Sequence, residues 1–241
     1  MVILKHPLYN EFAEKYDLMF FEDKYYSEVN FIEKLRKEHE LNKKLIDLGC
    51  GTGSHIYLFN EYNYRCTGVD ISEKMLGVAE KKSPESTFYL KDITSLSFQN
   101  EFDLVTCLYG AINYIDKFCN LKKAIENIHK LCKKKSLVFI DCIYGQNLPL
   151  GVEIENESGR IKINQWQKID EFTDLWKFAC IIKRKDLFFF EKQKLFFQNP
   201  FLIAELMKES GFDRVQIYNS RFQKFNKKKD YESMLVGFKY D

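Results

Sequence analysis

The sequence has few of the features that place a chain outside the ordinary globular class. It has only four prolines in 241 residues, no apolar run long enough to cross a membrane, and 37 basic against 35 acidic residues. A net charge of +2 does not favour nucleic acid or an anionic membrane as a partner. The segment from Met1 to Pro7 lacks the apolar stretch of a signal peptide.

The seven cysteines form neither a Cys-x-x-Cys pair nor a cluster with histidine, so we expect no metal site. An odd number of cysteines cannot pair completely, and free thiols are typical of a reducing compartment. No Ser-His-Asp or Cys-His set indicates covalent catalysis. We therefore expect a cytoplasmic protein that works without a metal.

From residue 43 to residue 144, short apolar runs alternate with helix-forming segments. Strands are predicted at Lys44–Leu48, Tyr64–Asp70, Thr87–Leu90, Phe102–Leu108 and Ser136–Tyr144. Helices are predicted at Tyr25–Glu40, Ser54–Glu61, Leu121–Cys132 and, with Ser72 as its N-cap, through Lys81. This alternation predicts an α/β fold, a Rossmann-like doubly wound and mostly parallel seven-stranded sheet.

After Tyr144 the pattern changes, and from Val152 to Phe197 it alternates as in strands, without helices. Strands are predicted at Glu153–Glu155, Arg160–Lys168, Trp176–Lys183 and Phe188–Phe197, and two closing strands at Val215–Asn219 and Leu235–Lys239. A helix is predicted at Phe201–Ser210, with Gly211 as its C-cap. We expect N-terminal helices over residues 1–42, a core from residues 43–144 and 200–241, and a small antiparallel β insertion over residues 145–199.

One motif carries the chemistry, the run Asp47-Leu48-Gly49-Cys50-Gly51-Thr52-Gly53 between a predicted strand and a predicted helix. Glycines at alternate positions allow a sharp turn and a close approach of ligand to main chain, and the helix presents free N–H groups. Asp70, at the end of the next strand, can accept hydrogen bonds from both hydroxyls of a ribose. The third glycine comes one residue earlier than in the dinucleotide motif Gly-x-Gly-x-x-Gly, which disfavours a dehydrogenase.

The glycine loop, the pair Val69-Asp70 and the segment Lys91-Asp92-Ile93 together resemble the class I S-adenosylmethionine-dependent methyltransferases. The resemblance implies S-adenosylmethionine as cofactor, with the glycine loop beneath its methionine part. It also implies that Asp70 binds the ribose and that Asp92 meets the adenine amino group. The implied cofactor-binding residues are Tyr16, Tyr25, Gly49, Cys50, Gly51, Gly53, His55, Asp70, Ile71, Met75, Asp92, Ile93 and Leu108.

A narrower resemblance rests on Tyr16-Asp17, Tyr25-x-x-Glu28 and Ala111-Ile112-Asn113-Tyr114. This arrangement is similar to the nucleotide-linked aminosugar N-methyltransferases, with glycine N-methyltransferase-like enzymes as neighbours. In the sugar enzymes, tyrosines of the N-terminal helices close over cofactor and acceptor amine. We name three acceptor-side catalytic candidates without assigning a unique base: Tyr9, Tyr114 and Asp141.

Two positions depart from the sugar enzymes. Tyr114 stands where those enzymes tend to carry histidine, and Asp141-Cys142-Ile143-Tyr144 stands where a glutamate followed by Pro and Trp is expected. Both positions lie on the acceptor side. The insertion at residues 145–199 is expected to cover the acceptor pocket or to form a homodimer interface.

Three functions stay open. The first is methyl transfer by in-line displacement to a small polar metabolite, the amino group of a nucleotide-linked sugar, with O-methylation of a sugar or surface-polysaccharide (capsule) precursor as its close variant. The second, a nucleic-acid methyltransferase, is disfavoured because no proline begins a Pro-Pro-Tyr or Pro-Cys motif. The third is a non-enzymatic protein that binds the cofactor without turnover.

Overall fold

The structure, a computed structural model, describes residues 9–10, 12–19, 22–144, 152–156, 159–163, 169–170, 175–184 and 187–240. Within these residues the strands are β1 (Lys44–Leu48), β2 (Arg65–Asp70), β3 (Thr87–Leu90), β4 (Phe102–Cys107), β5 (Cys132–Ile143), β6 (Val152–Asn156), β7 (Gly159–Ile163), β8 (Ile169–Asp170), β9 (Leu175–Arg184), β10 (Leu187–Phe196), β11 (Arg214–Asn219) and β12 (Glu232–Lys239). The α-helices are α1 (Glu22–Glu38), α2 (Ser54–Glu61), α3 (Glu73–Lys82), α4 (Phe118–Leu131) and α5 (Pro200–Glu209). Short 3-10 helices span Ala13–Met19, Ile93–Ser95 and Ala111–Tyr114.

A seven-stranded sheet forms the centre of the fold, in the order β3-β2-β1-β4-β5-β12-β11. The pairs β1–β2, β2–β3, β1–β4 and β4–β5 are parallel, whereas β12 runs antiparallel to both β5 and β11. All six residues of β4 are buried, which is expected of a central strand covered by helices on both faces. The predicted doubly wound, mostly parallel sheet is confirmed.

Local sequence signals explain where several helices begin and end. Ser72 caps α3, its Oγ accepting a hydrogen bond from the Met75 N–H at 3.2 Å, as predicted. Helix α5 begins at Pro200, after the side chain of Asn199 accepts from the Phe201 N–H at 2.9 Å. The C-cap of α5 is Ser210 rather than the predicted Gly211, which takes the next position with φ of 108°.

The described residues between β5 and α5 form strands and no helix, as the alternating pattern predicted. Strands β6 and β7 form one antiparallel hairpin, and β9 pairs antiparallel with both β10 and β8. The predicted strand Arg160–Lys168 coincides with β7 up to Ile163, and residues 164–168 lie outside the described residues. The two-residue strand β8 was not predicted. The division of the chain into three parts stays a prediction.

Two apolar clusters pack on the sheet. One joins helices α4 and α5 to it and includes Ile125 and Met207, and the other joins α1 and α2 and includes Ile32 and Ile56. The carboxyl ends of the parallel strands meet at one edge between these layers, where open α/β sheets bind ligands. No helix in the described part of the chain is long and apolar enough to cross a membrane.

Candidate active site

The glycine loop connects β1 to α2 by a backbone that only glycine adopts readily. Gly49, Gly51 and Gly53 have φ of 71°, 55° and 73°, in the left-handed region. A Cβ placed on Gly49 would stand 2.6 Å from the Cβ of Ala111, so a side chain there would also overlap the turn that follows β4. Gly49 and Gly51 also line a cleft beside the loop, and a ligand of this cleft would contact their main chain, which fits the predicted cofactor.

Asp70, at the end of β2, connects the glycine loop to the start of α3 through hydrogen bonds. Its Oδ2 accepts from the Gly51 N–H at 2.9 Å, and its Oδ1 accepts from the Ser72 N–H at 2.8 Å. Burial raises the pKa of Asp70, and these backbone hydrogen bonds act against that rise. Oδ1 and Oδ2 each accept one of these hydrogen bonds, and a carboxylate oxygen can accept more than one. This is compatible with the predicted contact to a ribose.

A cleft of about 320 Å³ opens beside the loop. Seven predicted cofactor residues line it, namely Tyr16, Tyr25, Gly49, Cys50, Gly51, His55 and Leu108. Four further lining residues were not among the predicted cofactor residues, namely Asp47, Thr52, Ser54 and Tyr109. Three of these lie within or beside the glycine motif, so their closeness to it in the sequence could have indicated a place in the cleft.

Tyr109 forms an aromatic wall of the cleft with Tyr25 and His55. The rings of Tyr25 and Tyr109 stack with centroids 4.5 Å apart and an interplanar angle of 3°, and His55 packs edge-on against both, at 4.8 and 5.4 Å. Tyr109 has φ of 60°, an uncommon conformation for a residue with a side chain. The Lys24 ammonium also lies over the Tyr109 ring, 4.8 Å from its centroid.

The N-terminal 3-10 helix is fastened to the glycine loop through Asp17. Its carboxylate accepts from the hydroxyls of Thr52 and Ser54, at 2.5 and 3.1 Å, and from the Lys82 ammonium at 2.6 Å. Lys82 also donates to Ser54 at 2.9 Å. This four-residue cluster, the Asp17 clasp, joins the N-terminal segment, the loop and α3 at one point.

Two of the three predicted catalytic residues, Tyr9 and Tyr114, contact each other, and both lie outside the cleft lining. The hydroxyls of Tyr9 and Tyr114 lie 2.5 Å apart, and the Tyr9 and Tyr16 rings lie 5.7 Å apart. The Ser72 hydroxyl donates to the Tyr9 carbonyl at 2.5 Å, which attaches this segment to the start of α3. Burial raises the pKa of Tyr16, which keeps its hydroxyl protonated.

The third predicted catalytic residue, Asp141, supports the loop that follows β4. Its Oδ2 accepts from the Tyr109 N–H at 2.8 Å and its Oδ1 from the Gly110 N–H at 2.7 Å. Asp141 lies not in the cleft lining but in a neighbouring cavity of about 250 Å³, which Lys24 and Glu232 also line. Burial raises the pKa of Asp141 to about 7. A direct catalytic role stays a prediction.

The remaining predicted cofactor residues lie outside the cleft lining. Ile71 is 73% exposed directly after Asp70, and Asp92 caps a short turn by accepting from the Thr94 N–H at 2.7 Å. Met75 is buried, its Cε 3.3 Å from where a Cβ on Gly51 would stand. Ile93, Gly53 and Asp70 complete this set, with Ile93 half-buried after β3, Gly53 at the start of α2 and Asp70 at the end of β2. Within the described residues, no group of three or more His, Cys, Asp or Glu side chains is arranged to hold a metal ion.

Comparison with known proteins agrees with this geometry. The methyltransferase-domain family matches residues 39–194. A Geobacillus sp. (strain WCH70) protein, named as a methyltransferase without a stated substrate, is 30% identical over 139 residues, covering 55% of this chain and 56% of its own. The dTDP-3-amino-3,4,6-trideoxy-alpha-D-glucopyranose N,N-dimethyltransferase of Streptomyces venezuelae is 23% identical over 175 residues, covering 71% of this chain and 64% of its own.

The fold has a near full-length counterpart among solved structures. A S-adenosylmethionine-dependent methyltransferase from Clostridium acetobutylicum superposes with a TM-score of 0.76 at 19% identity, covering 97% of this chain and 99% of its own. The chain belongs to the methyltransferase-domain family, and the resemblance to the class I S-adenosylmethionine-dependent enzymes is confirmed. The chain spans about half the length of the curated relatives it matches.

Proposed function

We propose that the protein transfers a methyl group from S-adenosylmethionine to the amino group of a nucleotide-linked sugar. The observation that carries this proposal is the cleft between the open glycine loop and a tyrosine-bearing N-terminal segment. The similarity to an aminosugar N,N-dimethyltransferase supports the acceptor class. A small-molecule acceptor fits the near-neutral charge of the chain.

The proposed cofactor site runs along the carboxyl edge of β1, β2 and β3. The main chain of Gly49 and Gly51 would contact the methionine part, and Asp70 would accept hydrogen bonds from the ribose. The exposed side chain of Ile71 offers apolar surface that an adenine ring would cover. Asp92 and Ile93 complete the proposed adenine pocket. When bound, S-adenosylmethionine supplies a methyl group already activated by its sulfonium.

On the acceptor side, the chain's residues must position a neutral amine. Tyr9 and Tyr114 present two hydroxyls at one point, and a hydroxyl can hydrogen-bond an amine without adding a charge. Asp141 holds the loop carrying Tyr109 and Gly110, so its proposed contribution is to keep the wall of the site in place. Positioning of this kind supplies most of the acceleration in a transfer from an activated donor.

Two further proposals concern the setting of the protein. A cytoplasmic location is supported by free thiols at six of the seven cysteines, namely Cys50, Cys66, Cys107, Cys119, Cys132 and Cys142. The insertion at residues 145–199 is proposed to cover the acceptor or to form a homodimer interface.

The test is mass spectrometry of reactions containing the purified protein, S-adenosylmethionine and a panel of nucleotide-linked amino sugars with matched hydroxyl sugars. A gain of one or two methyl masses on amino sugars alone is the expected result. Methylation of the hydroxyl sugars alone would refute transfer to an amine and support the O-methylation alternative. No product, with cofactor binding demonstrated, would refute the acceptor class.

Two tyrosine variants locate the acceptor side. Tyr9→Phe and Tyr114→Phe are each expected to lower kcat/KM for the amino sugar about tenfold, the loss of one hydrogen bond worth about 1.4 kcal/mol. Tyr240→Phe is the matched control, because Tyr240 follows β12 at the opposite edge of the sheet and is 43% exposed. Equal activity in all three variants would remove the hydroxyls from the proposed mechanism.

A further inference from the structure

Glu28 and His55 form a buried pair that joins α1 to α2. The Nε2 of His55 lies 2.8 Å from the Oε2 of Glu28, and the two residues are 5% and 4% exposed. Removing a carboxylate and an imidazole from water is costly, and packing of the two helices does not require it. His55 lines the cofactor cleft, whereas Glu28 reaches the pair from the side of the neighbouring cavity.

The hydrogen bond fixes which nitrogen of His55 carries a proton. An ionised carboxylate only accepts hydrogen bonds, so Nε2–H donates to Glu28. Within the described residues, this is the only hydrogen bond that the His55 ring makes, which leaves Nδ1 for a ligand of the cleft. The rings of Tyr25 and Tyr109 pack against the imidazole and hold its orientation.

The charges around His55 favour its protonated form. Burial lowers the pKa of His55, but the hydrogen bond and charge of Glu28 from α1, with Asp47 from β1 and Asp141 from β5, raise it above its usual value overall. In that form the second proton is on Nδ1, which makes this nitrogen a charged donor on a residue that lines the cleft. Among the described residues that line the cleft, His55 is the only basic one.

We propose that His55, oriented by Glu28, binds the α-carboxylate of the methionine part of S-adenosylmethionine through its Nδ1–H. This inference rests on the proposed function, which places that part of the cofactor against the glycine loop. Glu28 is a positioning residue, because it acts through His55. The ligand chemistry that the pair recognises is a carboxylate beside the loop, and a cofactor analogue without that carboxylate gains nothing from it.

The experiment compares two ligands by titration calorimetry, S-adenosylmethionine and decarboxylated S-adenosylmethionine, which lacks only the carboxylate. In His55→Ala we expect the affinity for S-adenosylmethionine to fall about 10- to 100-fold, as for the loss of one charge-assisted hydrogen bond, while the affinity for the decarboxylated ligand changes less than about threefold. Glu28→Gln should give a smaller loss with the same selectivity. Glu101→Gln, an exposed carboxylate paired with Lys44, is the matched control.

The pH dependence of binding distinguishes the orientation of His55 by Glu28 from a general effect of the substitutions on folding. The preference of the wild type for the carboxylated ligand should decline as pH rises and His55 loses its second proton, and Glu28→Gln should move that decline to lower pH. If His55→Ala and Glu28→Gln lower the affinity for both ligands equally, the assignment is overturned. Wild type that binds neither ligand would instead refute the proposed function, and the inference with it.

Discussion

Replacing Gly49 by alanine tests whether the backbone conformation of the glycine loop requires glycine at this position. Alanine at φ of 71° costs about 1–2 kcal/mol relative to glycine. The added Cβ would stand 2.6 Å from the Cβ of Ala111, and relieving such overlap costs roughly 1–3 kcal/mol. We therefore expect Gly49→Ala to lower the free energy of unfolding by about 2–5 kcal/mol.

Gly77→Ala is the control, because it makes the same chemical change where the structure predicts the opposite sign. Gly77 lies within α3, and a Cβ there would meet no atom within 4 Å. Alanine in a helix interior is favoured over glycine by roughly 0.5–1 kcal/mol, so this variant should be more stable than wild type. Both variants keep the size of the change at one methyl group.

The assay is urea unfolding, with free energies from linear extrapolation, followed by titration of S-adenosylhomocysteine into each variant. Gly49→Ala should also weaken cofactor binding more than tenfold, because the moved loop no longer presents its main chain to the ligand. Gly77→Ala should bind as wild type does. A Gly49→Ala protein within 0.5 kcal/mol of wild type and with unchanged affinity would refute the argument from backbone geometry.

Three further predictions address the surroundings of the cleft. Asp17→Ala should release the Asp17 clasp, speed proteolysis within residues 12–19 and weaken cofactor binding, whereas Glu14→Ala, which removes only the exposed pair with Lys81, should do neither. The folded protein keeps a proton on Asp141, with its pKa near 7, that the unfolded chain releases, so this contribution to stability falls as pH rises from about 4 to 7. Asp141→Asn should reduce the dependence of the free energy of unfolding on pH, measured by urea unfolding at several pH values. An unchanged dependence would show that Asp141 is not its cause. Asn113→Ala should lower the free energy of unfolding by about 2–4 kcal/mol, because the buried amide bonds three main-chain groups at 2.8 to 3.1 Å; a loss below 1 kcal/mol would show that those groups find other partners.

The sequence predicted the parts of the site whose signal is local. The glycine loop and Asp70 are recognisable because turn, helix start and acidic residue follow one another at short spacing. Their placement at the carboxyl edge follows from the parallel sheet, which the alternation of strands and helices predicted.

Contacts between distant residues gave no such signal. The partners in Asp17–Lys82 and Glu28–His55 lie 65 and 27 residues apart, and neither pair belongs to a periodic pattern. The sequence predicts Leu108 as a cofactor residue but not Tyr109. The unusual backbone of Tyr109 and the stacking of its ring on Tyr25 are visible only in the structure. Strand β8 has two residues and exists through its pairing with β9, so no run of sequence could indicate it.

The antiparallel position of β12 has a consequence for the order in which the sheet is assembled. Strand β12 lies between β5 and β11, which do not pair with each other. A chain still being synthesised, with residues 232–239 inside the ribosome, therefore has an open edge on β5 and no partner for β11. The sheet is complete only when β12 pairs with both strands and buries Leu235 and Val236, and without β12 the edge of β5 is open to foreign strands.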